Sequence, residues 1–255
     1  APAMAHAFEG VADRLELRGI VVTKDGHARR LARLASCEAG HPLPDSRSVA
    51  AGRAALAVAA EASPDEALVV LLSGGASALL TAPLPGLTLA ELRTTTELLL
   101  HSGAEITELN CVRKHLTAVS GGRLLAATRA ERVFVLVVSD VLGDDLGTIG
   151  SGPCAADASG YADALAVLER RALLARVPAA VREQLEQGAA GRRADTLKAG
   201  DVLTLYSDGV TEARDPGGEE YGEERLEAFL RHWYEGDGVP VAATEKVAEV
   251  PAVTV

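Results

Sequence analysis

A glycine-rich turn follows an apolar segment in the first third of the chain. Residues 68–72 are continuously apolar, and residues 73–77 (Ser-Gly-Gly-Ala-Ser) come directly after them. Backbone N–H groups can approach phosphate oxygens closely where glycine removes the side chain. The same pattern also occurs in ordinary turns between a strand and a helix. By itself the pattern is more often such a turn, so phosphate binding by Ser73, Gly74, Gly75 and Ser77 is one of two open interpretations.

An aspartate occupies the corresponding place after a second apolar segment. Residues 133–138 predict a buried strand, and Asp140 lies just beyond its carboxyl end. Open α/β sheets bind their ligands at this end of the strands. Asp140 could instead form an Asx turn or cap a helix. We favour a functional role for Asp140 and the turn or cap role for Asp144 and Asp145.

Four basic or titratable side chains could contact an anionic substrate. Arg113, Lys114 and His115 are consecutive in a segment that predicts a helix, and His41 lies in a loop with glycine and prolines. The three consecutive residues are equally well explained as the polar face of a helix. His41 could bind substrate or pack within its loop.

Alternating helices and strands predict the elements that position these residues. We expect helices over residues 3–17, 46–62, 88–101, 105–119, 161–171 and 178–186, and strands over 20–22, 68–72 and 133–138. Residues 23–44 are predicted to be a polar loop. This order predicts an α/β fold with a Rossmann-like parallel sheet flanked by helices, followed by a small C-terminal strand-helix appendage.

Composition limits the class of protein. The 255 residues carry a net charge of −11. Residues 194–255 contain 14 acidic and 5 basic residues, so a module boundary is expected near residue 194. This balance argues against nucleic-acid binding. No signal-peptide pattern and no apolar run of membrane-spanning length is present, and three separated cysteines favour a reducing compartment, so we expect a cytoplasmic protein.

Several motifs in order resemble those of the MOFRL-associated D-glycerate 2-kinases. The resemblance covers about three quarters of the chain and the N-terminal domain of that family. Its motifs lie at residues 19–24, 38–45, 71–80, 110–116, 121–123, 139–146 and 150–153.

The resemblance implies transfer of a phosphoryl group from ATP to the C2 hydroxyl of D-glycerate, with Mg²⁺ as cofactor. It implies that Asp140 is the catalytic acid, which orients or deprotonates the hydroxyl. It also makes phosphate binding by Ser73, Gly74, Gly75 and Ser77 the favoured interpretation of the glycine-rich turn.

Two features of the family are absent from the sequence. The family has a strand and a Gly-Lys-Ala segment immediately before the position of Ala1, and it has a C-terminal domain that supplies a catalytic arginine. Loss of one preorganised cation can cost roughly a hundredfold in rate. We therefore expect this chain to be a weak kinase or an inactive one.

The C-terminal part resembles SpoIIE-type serine phosphatases. The similarity lies in residues 197–214 and 218–226, where Asp208 matches an aspartate that binds Mn²⁺ or Mg²⁺ in that family. A turn between a strand and a loop is the alternative for Asp208. We predict a kinase-like domain over residues 1–188, a linker over 189–196, a phosphatase-like fragment over 197–234 and an unassigned tail over 235–255. A metal-dependent phosphatase fragment and an inert fusion product remain alternative functions.

Overall fold

The computed structural model describes residues 2–11, 15–139, 141 and 144–199. Its helices and strands, in chain order, are α1 (Pro2–Val11), β1 (Ile20–Lys24), β2 (Ala35–Ala39), α2 (Ser46–Glu61), β3 (Ala67–Leu72), α3 (Ala76–Leu79), α4 (Leu89–His101), α5 (Ile106–Lys114), α6 (Arg123–Ala126), β4 (Arg132–Val137), a 3₁₀ turn (Ile149–Ser151), α7 (Tyr161–Arg170) and α8 (Ala179–Ala189).

The strands form two parallel pairs. β1 pairs with β2 from Ile20 opposite Ala35, and β3 pairs with β4 from Ala67 opposite Arg132. The α/β class, the parallel pairing and the flanking helices are confirmed. In the described residues, however, the expected single sheet is divided into two two-stranded sheets.

The region predicted as a polar loop contains a strand. β2 (Ala35–Ala39) has the sequence Ala-Ser-Cys-Glu-Ala, which includes neither a β-branched residue nor an apolar run. Its local sequence therefore carries little strand propensity. Pairing with β1 and packing of α2 against it, rather than composition, place it in a sheet.

Two predicted helices end earlier than expected. The first spans Pro2–Val11 rather than residues 3–17, since residues 15–19 are not helical. α5 ends at Lys114 rather than at residue 119. Just beyond it, the Thr117 hydroxyl accepts hydrogen bonds from the N–H groups of Val119 and Ser120, and this local turn competes with helix continuation.

The larger hydrophobic core is helical. It joins α4, α5, α7 and α8, and its fully buried members include Leu99, Leu116, Leu168, Leu173 and Leu185. A smaller cluster around Ala59, Val119 and Leu124 lies against the strands. In the described part of the chain, no helix combines the length and apolar content that crossing a bilayer requires.

The segment predicted to be a linker is packed against the domain. Tyr161 donates its hydroxyl proton to the carbonyl of Ala194 (3.2 Å), and the N–H of Leu197 donates to the carbonyl of Gly121 (2.9 Å). Thr196 is buried. Contacts with the domain therefore continue through residue 198.

Asp45 caps the longest helix, and its carboxylate has an unusually low pKa. It accepts hydrogen bonds from the N–H groups of Arg47 and Ser48, while the Ser48 hydroxyl accepts from the N–H of Asp45. Partial burial favours the neutral acid, but these N–H groups and the Arg47 guanidinium outweigh it and lower the pKa to about 2.

We expect Asp45→Ala to lower the free energy of unfolding by about 1 kcal/mol near neutral pH, because the cap is lost. The carboxylate has a lower pKa in the folded chain than its ordinary value of about 3.9. Its contribution is therefore present above pH ~4 and is lost as pH falls toward 2. Urea denaturation at pH 7 and pH 3 measures both effects. Asp45→Asn, which keeps an acceptor, should retain most of the stability at pH 7.

Candidate functional site

Four of the predicted site residues line one cavity, which we call the His41 cavity. Its volume is about 600 Å³. It lies between the loop before α2, the turn after β3, and helices α4 and α5. The lining residues are His41, Pro42, Leu43, Gly75, Ser77, Ala78, Glu97, Leu100, His101 and Arg113.

Gly75 brings the turn after β3 close to the His41 loop. Its φ of +84° lies in the left-handed region, which favours glycine. A Cβ atom at this position would also lie 3.0 Å from the Cδ2 and Nε2 atoms of His41. The backbone conformation therefore favours glycine, and a larger residue would also require the His41 imidazole to shift.

Ser77 is held by a chain of hydrogen bonds. Its hydroxyl lies 2.8 Å from that of Ser151, and the Ser151 hydroxyl donates to the Oδ1 atom of Asn110 (3.1 Å). Ser151 is buried and has a φ of +62°, a strained value for a residue with a side chain. Ser151 and Asn110 were not predicted as site residues, although both belong to the motifs quoted above.

Arg113 presents a cation to this cavity. Its side chain is half-buried, and within the described residues no carboxylate lies within ion-pair distance of its guanidinium. Burial lowers the pKa of Arg113, because desolvation disfavours the charged form. An anionic ligand in the cavity would meet a partly desolvated positive charge, and partial desolvation strengthens electrostatic attraction.

Two further lining residues were missed by the sequence analysis. Glu97 and His101 lie four residues apart on α4, so they share one face of the helix. The i, i+4 spacing of a carboxylate and an imidazole was the available signal. It carries little weight by itself, because such pairs are common on solvated helices.

The turn after β3 separates the His41 cavity from a second one. Ser73 and Gly74 line a larger space of about 790 Å³ between the two sheets, which we call the inter-sheet cavity. The predicted phosphate-binding residues are therefore divided, with Gly75 and Ser77 on the His41 side.

Lys114 belongs to a buried cluster and not to either cavity lining. Its ammonium group lies 3.2 Å from the Oδ1 atom of Asp157, whose side chain is 2% exposed. Burial alone would raise the pKa of Asp157, but Lys114 and the hydrogen bonds from Ser159 together lower it. Of the two alternatives given for Lys114, the polar helix face is wrong, because its side chain is buried where the C-terminal end of α5 turns into the protein.

His115 is fully buried beside this ion pair. Its Nδ1 atom lies 2.7 Å from the carbonyl oxygen of Cys111, so Nδ1 carries the proton and donates it. Nε2 lies 3.2 Å from a carboxylate oxygen of Asp195, although the angle is not that of a hydrogen bond. The imidazole packs edge-on against Tyr161, with ring centroids 4.7 Å apart. His115 therefore does not lie on a polar face either.

Burial lowers the pKa of His115 and makes stability depend on pH. The desolvation effect exceeds the opposite influence of the Cys111 carbonyl and of the nearby carboxylates. The unfolded chain takes up a proton at this residue near pH 6.5, whereas the folded chain does so at a lower pH. The contribution of neutral His115 is therefore complete above pH ~6.5 and is lost as pH falls below it.

We expect the free energy of unfolding to decrease from pH 7.5 to pH 5, with a contribution from His115 of at most about 1.4 kcal/mol per pH unit. Chemical denaturation across this range measures the slope. His115→Gln should reduce the slope, while His6→Gln, at an exposed histidine, should leave it unchanged. Equal slopes in all three proteins would contradict the assignment.

Of the aspartates considered in the sequence, Asp145 forms a turn. Asp145 accepts hydrogen bonds from the Thr148 hydroxyl (2.5 Å) and the N–H of Gly147 (3.4 Å), as expected for a turn-forming side chain. Asp140 and Asp208 lie outside the described residues. Among residues 2–11, 15–139, 141 and 144–199, no group of three His, Cys, Asp or Glu side chains could hold a metal ion.

Comparison with known proteins gives consistent matches over this region. The family described as "Domain of unknown function (DUF4147)" matches residues 1–186, and the family described as "Stage II sporulation protein E (SpoIIE)" matches residues 185–251. The chain is 41% identical over 195 residues to a protein from Pyrococcus horikoshii named glycerate 2-kinase, covering 76% of this chain and 44% of that protein. It is 42% identical over 200 residues to an Agrobacterium vitis protein named putative hydroxypyruvate reductase, covering 78% and 44% of the two chains.

A solved structure shares the fold. The crystal structure of glycerate kinase from Thermotoga maritima superposes with a TM-score of 0.69 at 38% identity, covering 78% of this chain and 47% of that one. The chain thus spans about half the length of the relatives it matches. Over residues 1–186 this chain belongs to the DUF4147 family, the N-terminal domain of glycerate kinases, and a SpoIIE fragment follows it.

Proposed function

We propose that this chain binds ATP and D-glycerate at the His41 cavity and takes part in phosphoryl transfer to the C2 hydroxyl of D-glycerate. The observation that carries the proposal is the convergence of Gly75, Ser77, His41 and Arg113 on one cavity. These residues come from three separate parts of the sequence. Relatives named glycerate kinase support the choice of substrate.

The lining suits a substrate with several negative charges. Phosphoryl transfer depends mainly on positioning and on neutralising charge, because the protein has little covalent chemistry to perform. Arg113 supplies a cation without a competing carboxylate in the described residues, and Gly75 allows close approach to the backbone. We assign Arg113 to the anionic groups and His41 to the substrate.

Asp140 is the proposed acceptor of the hydroxyl proton. It follows β4 at the end of the strand that faces the ligand side of an α/β sheet. Mg²⁺ bound with ATP would neutralise phosphate charge, and such an ion is usually held by phosphates, waters and one or two carboxylates. Glu97 is a carboxylate in the cavity lining that could serve as such a ligand.

A product assay tests this proposal. The full chain is incubated at high concentration with ATP, Mg²⁺ and D-glycerate, and phosphoglycerates are separated by ion-exchange chromatography. We expect 2-phosphoglycerate as the product. NADH oxidation with hydroxypyruvate, in the absence of phosphoglycerate, would instead favour the reductase named among the relatives.

Arg113→Leu should weaken binding of ATP or 2-phosphoglycerate by about tenfold to a hundredfold. A hydrogen bond to a charged group contributes about 1.5 to 3 kcal/mol, which corresponds to this change. Isothermal titration calorimetry measures the dissociation constants. Arg129→Leu removes an equal charge at an exposed position away from the cavity and should bind as the unaltered chain does. Equal weakening by both substitutions would indicate a general charge effect.

The C-terminal SpoIIE match supports a second candidate function, a Mn²⁺- or Mg²⁺-dependent phosphatase with Asp208 as a metal ligand. A two-metal centre needs carboxylates from several strands. Hydrolysis of p-nitrophenyl phosphate that requires Mn²⁺ and is lost in Asp208→Asn would support it. Hydrolysis that is unchanged by Asp208→Asn would exclude a phosphatase that uses Asp208 as a metal ligand.

A further inference from the structure

A chain of hydrogen bonds connects the His41 cavity to a buried amide. Ser77 lines the cavity, and its hydroxyl lies 2.8 Å from that of Ser151. The Ser151 hydroxyl lies 3.1 Å from the Oδ1 atom of Asn110, whose Nδ2 atom is 3.4 Å from the carbonyl oxygen of Thr148. Ser151 and Asn110 are 1% and 3% exposed. The chain therefore lies inside the protein and ends at the cavity.

The carbonyl of Thr148 determines the orientation of the Asn110 amide. A carbonyl oxygen can only accept hydrogen bonds, so the group that faces it must be the NH₂ group of Asn110. The opposite orientation would place two oxygen atoms against each other. The amide oxygen of Asn110 therefore faces Ser151, and this oxygen can also only accept.

The positions of the two hydroxyl protons follow from this orientation. A serine hydroxyl has one proton to donate and two lone pairs that accept. Ser151 donates its proton to Asn110, so the Ser151 oxygen accepts the proton of Ser77. Ser77 therefore directs its proton away from the His41 cavity and presents only lone pairs to a ligand in it.

The backbone around Ser151 keeps this arrangement in place. Its φ of +62° is unfavourable for a residue with a side chain, and such conformations persist only where the surrounding structure holds them. The N–H of Ser151 donates to the carbonyl of Thr148 (3.1 Å), which also accepts from the Asn110 amide. One carbonyl group therefore holds both members of the buried part of the chain.

A hydroxyl that can only accept selects the kind of group that it contacts. Phosphate oxygens are acceptors at neutral pH, so they would repel the Ser77 oxygen instead of bonding to it. A metal cation is disfavoured as well, because the Arg113 guanidinium lines the same cavity and like charges repel. A neutral donor, such as a hydroxyl of the ligand, is the complementary group.

The cation lies close to this acceptor by construction. Asn110 and Arg113 are three residues apart on α5, so they lie on neighbouring turns of one helix face, with Cβ atoms about 5 to 6 Å apart. The cavity thus offers an acceptor anchored by Asn110 beside a positive charge from Arg113. A molecule that carries a hydroxyl close to a carboxylate matches this pair.

We propose that Ser77 determines substrate specificity at the His41 cavity by accepting a hydrogen bond from the C3 hydroxyl of D-glycerate, with Ser151 and Asn110 as positioning residues. This role rests on the proposed function, in which Asp140 accepts the proton of the C2 hydroxyl and Arg113 binds the anionic groups. The C3 hydroxyl is the remaining donor of D-glycerate. The role replaces the phosphate contact expected for Ser77 from the sequence.

NMR titration of the full chain with D-glycerate and with D-lactate tests this role, because D-lactate differs only in lacking the C3 hydroxyl. The amide signals of Gly75 and Ala78, which line the cavity, report binding at this site. We expect D-lactate to bind about three- to tenfold more weakly than D-glycerate, the usual contribution of one hydrogen bond. In Ser77→Ala the two dissociation constants should become nearly equal.

Two further variants distinguish positioning from general damage. Ser151→Gly removes the inner hydroxyl and suits the φ of +62°, so the proton of Ser77 is no longer held. We expect this variant to reduce the preference for D-glycerate by at least about twofold without weakening D-lactate binding. A purely structural effect would weaken both ligands and leave their ratio unchanged. Ser46→Ala, at an exposed serine outside the cavity lining, should keep the full preference.

The other outcomes contradict the proposal in distinguishable ways. Equal affinities for the two acids in the unaltered chain, or a preference that survives in Ser77→Ala, would refute the role of Ser77 and leave the proposed function intact. Weaker binding of Mg-ATP in Ser77→Ala, with an unchanged preference between the acids, would assign Ser77 to the nucleotide. No binding of either acid would refute the proposed substrate site itself, and this role with it.

Discussion

Lys114→Met is expected to lower the free energy of unfolding by about 3 to 5 kcal/mol. The side chains of Lys114 and Asp157 are 11% and 2% exposed, and the Oδ2 atom of Asp157 has no hydrogen-bond partner among the residues that the structure describes. Removing the ammonium group would leave a buried carboxylate without its cation. Urea denaturation at neutral pH measures the loss.

A double substitution separates the loss of the partner from the loss of packing. Asp157→Asn removes the negative charge and keeps an oxygen that can accept from Ser159, whose N–H and hydroxyl contact Asp157 at 3.1 and 2.8 Å. Lys114→Met combined with Asp157→Asn should therefore be more stable than Lys114→Met alone. If Lys114→Met unfolds normally but loses affinity for D-glycerate, Lys114 is a substrate ligand and the structural assignment is wrong.

Gly52→Ala is expected to destabilise the chain by about 3 kcal/mol or more. An added Cβ atom would lie 2.1 Å from the carbonyl oxygen of Thr81 and 2.5 Å from its carbonyl carbon. Both atoms belong to the backbone, so they cannot move aside by a change of rotamer. α2 must then separate from the segment after α3, to which the carbonyl of Ser48 is also hydrogen-bonded through the N–H of Thr81.

A loss of stability in Gly52→Ala is informative, because replacing glycine by alanine within a helix normally increases stability by about 1 kcal/mol. The reverse change at an exposed position of the same helix, Ala50→Gly, gives the matched control. It should cost only about 0.5 to 1 kcal/mol. Thermal or chemical denaturation of both variants makes the comparison. A stability gain in Gly52→Ala would show that α2 does not contact Thr81 closely.

Local patterns predicted the elements whose signals are contained within their own sequence. The two continuous apolar runs predicted the first and last residues of β3 and β4 to within about one residue. The spacing of Thr88 and Glu91 predicted the start of α4. Each side chain accepts a hydrogen bond from the backbone N–H of the other residue. These interactions need no information from distant parts of the chain.

Features that depend on tertiary contacts could not be predicted in this way. β2 is a strand because β1 pairs with it, although its own residues favour no strand. The orientation of Lys114 and His115 depends on Asp157 and Asp195, which lie 43 and 80 positions away. The position of Ser151 beside Ser77 follows from a strained turn that brings distant glycine-rich segments together.

Thermal unfolding of the full chain, with and without Mg-ATP plus D-glycerate, tests most directly whether the His41 cavity is a substrate site. A ligand at a hundred times its dissociation constant adds about 2.7 kcal/mol of stability. We predict a cooperative transition that moves to higher temperature with both ligands, and a much smaller shift in Arg113→Leu than in Arg129→Leu. A cooperative transition that does not move in the unaltered chain would contradict it.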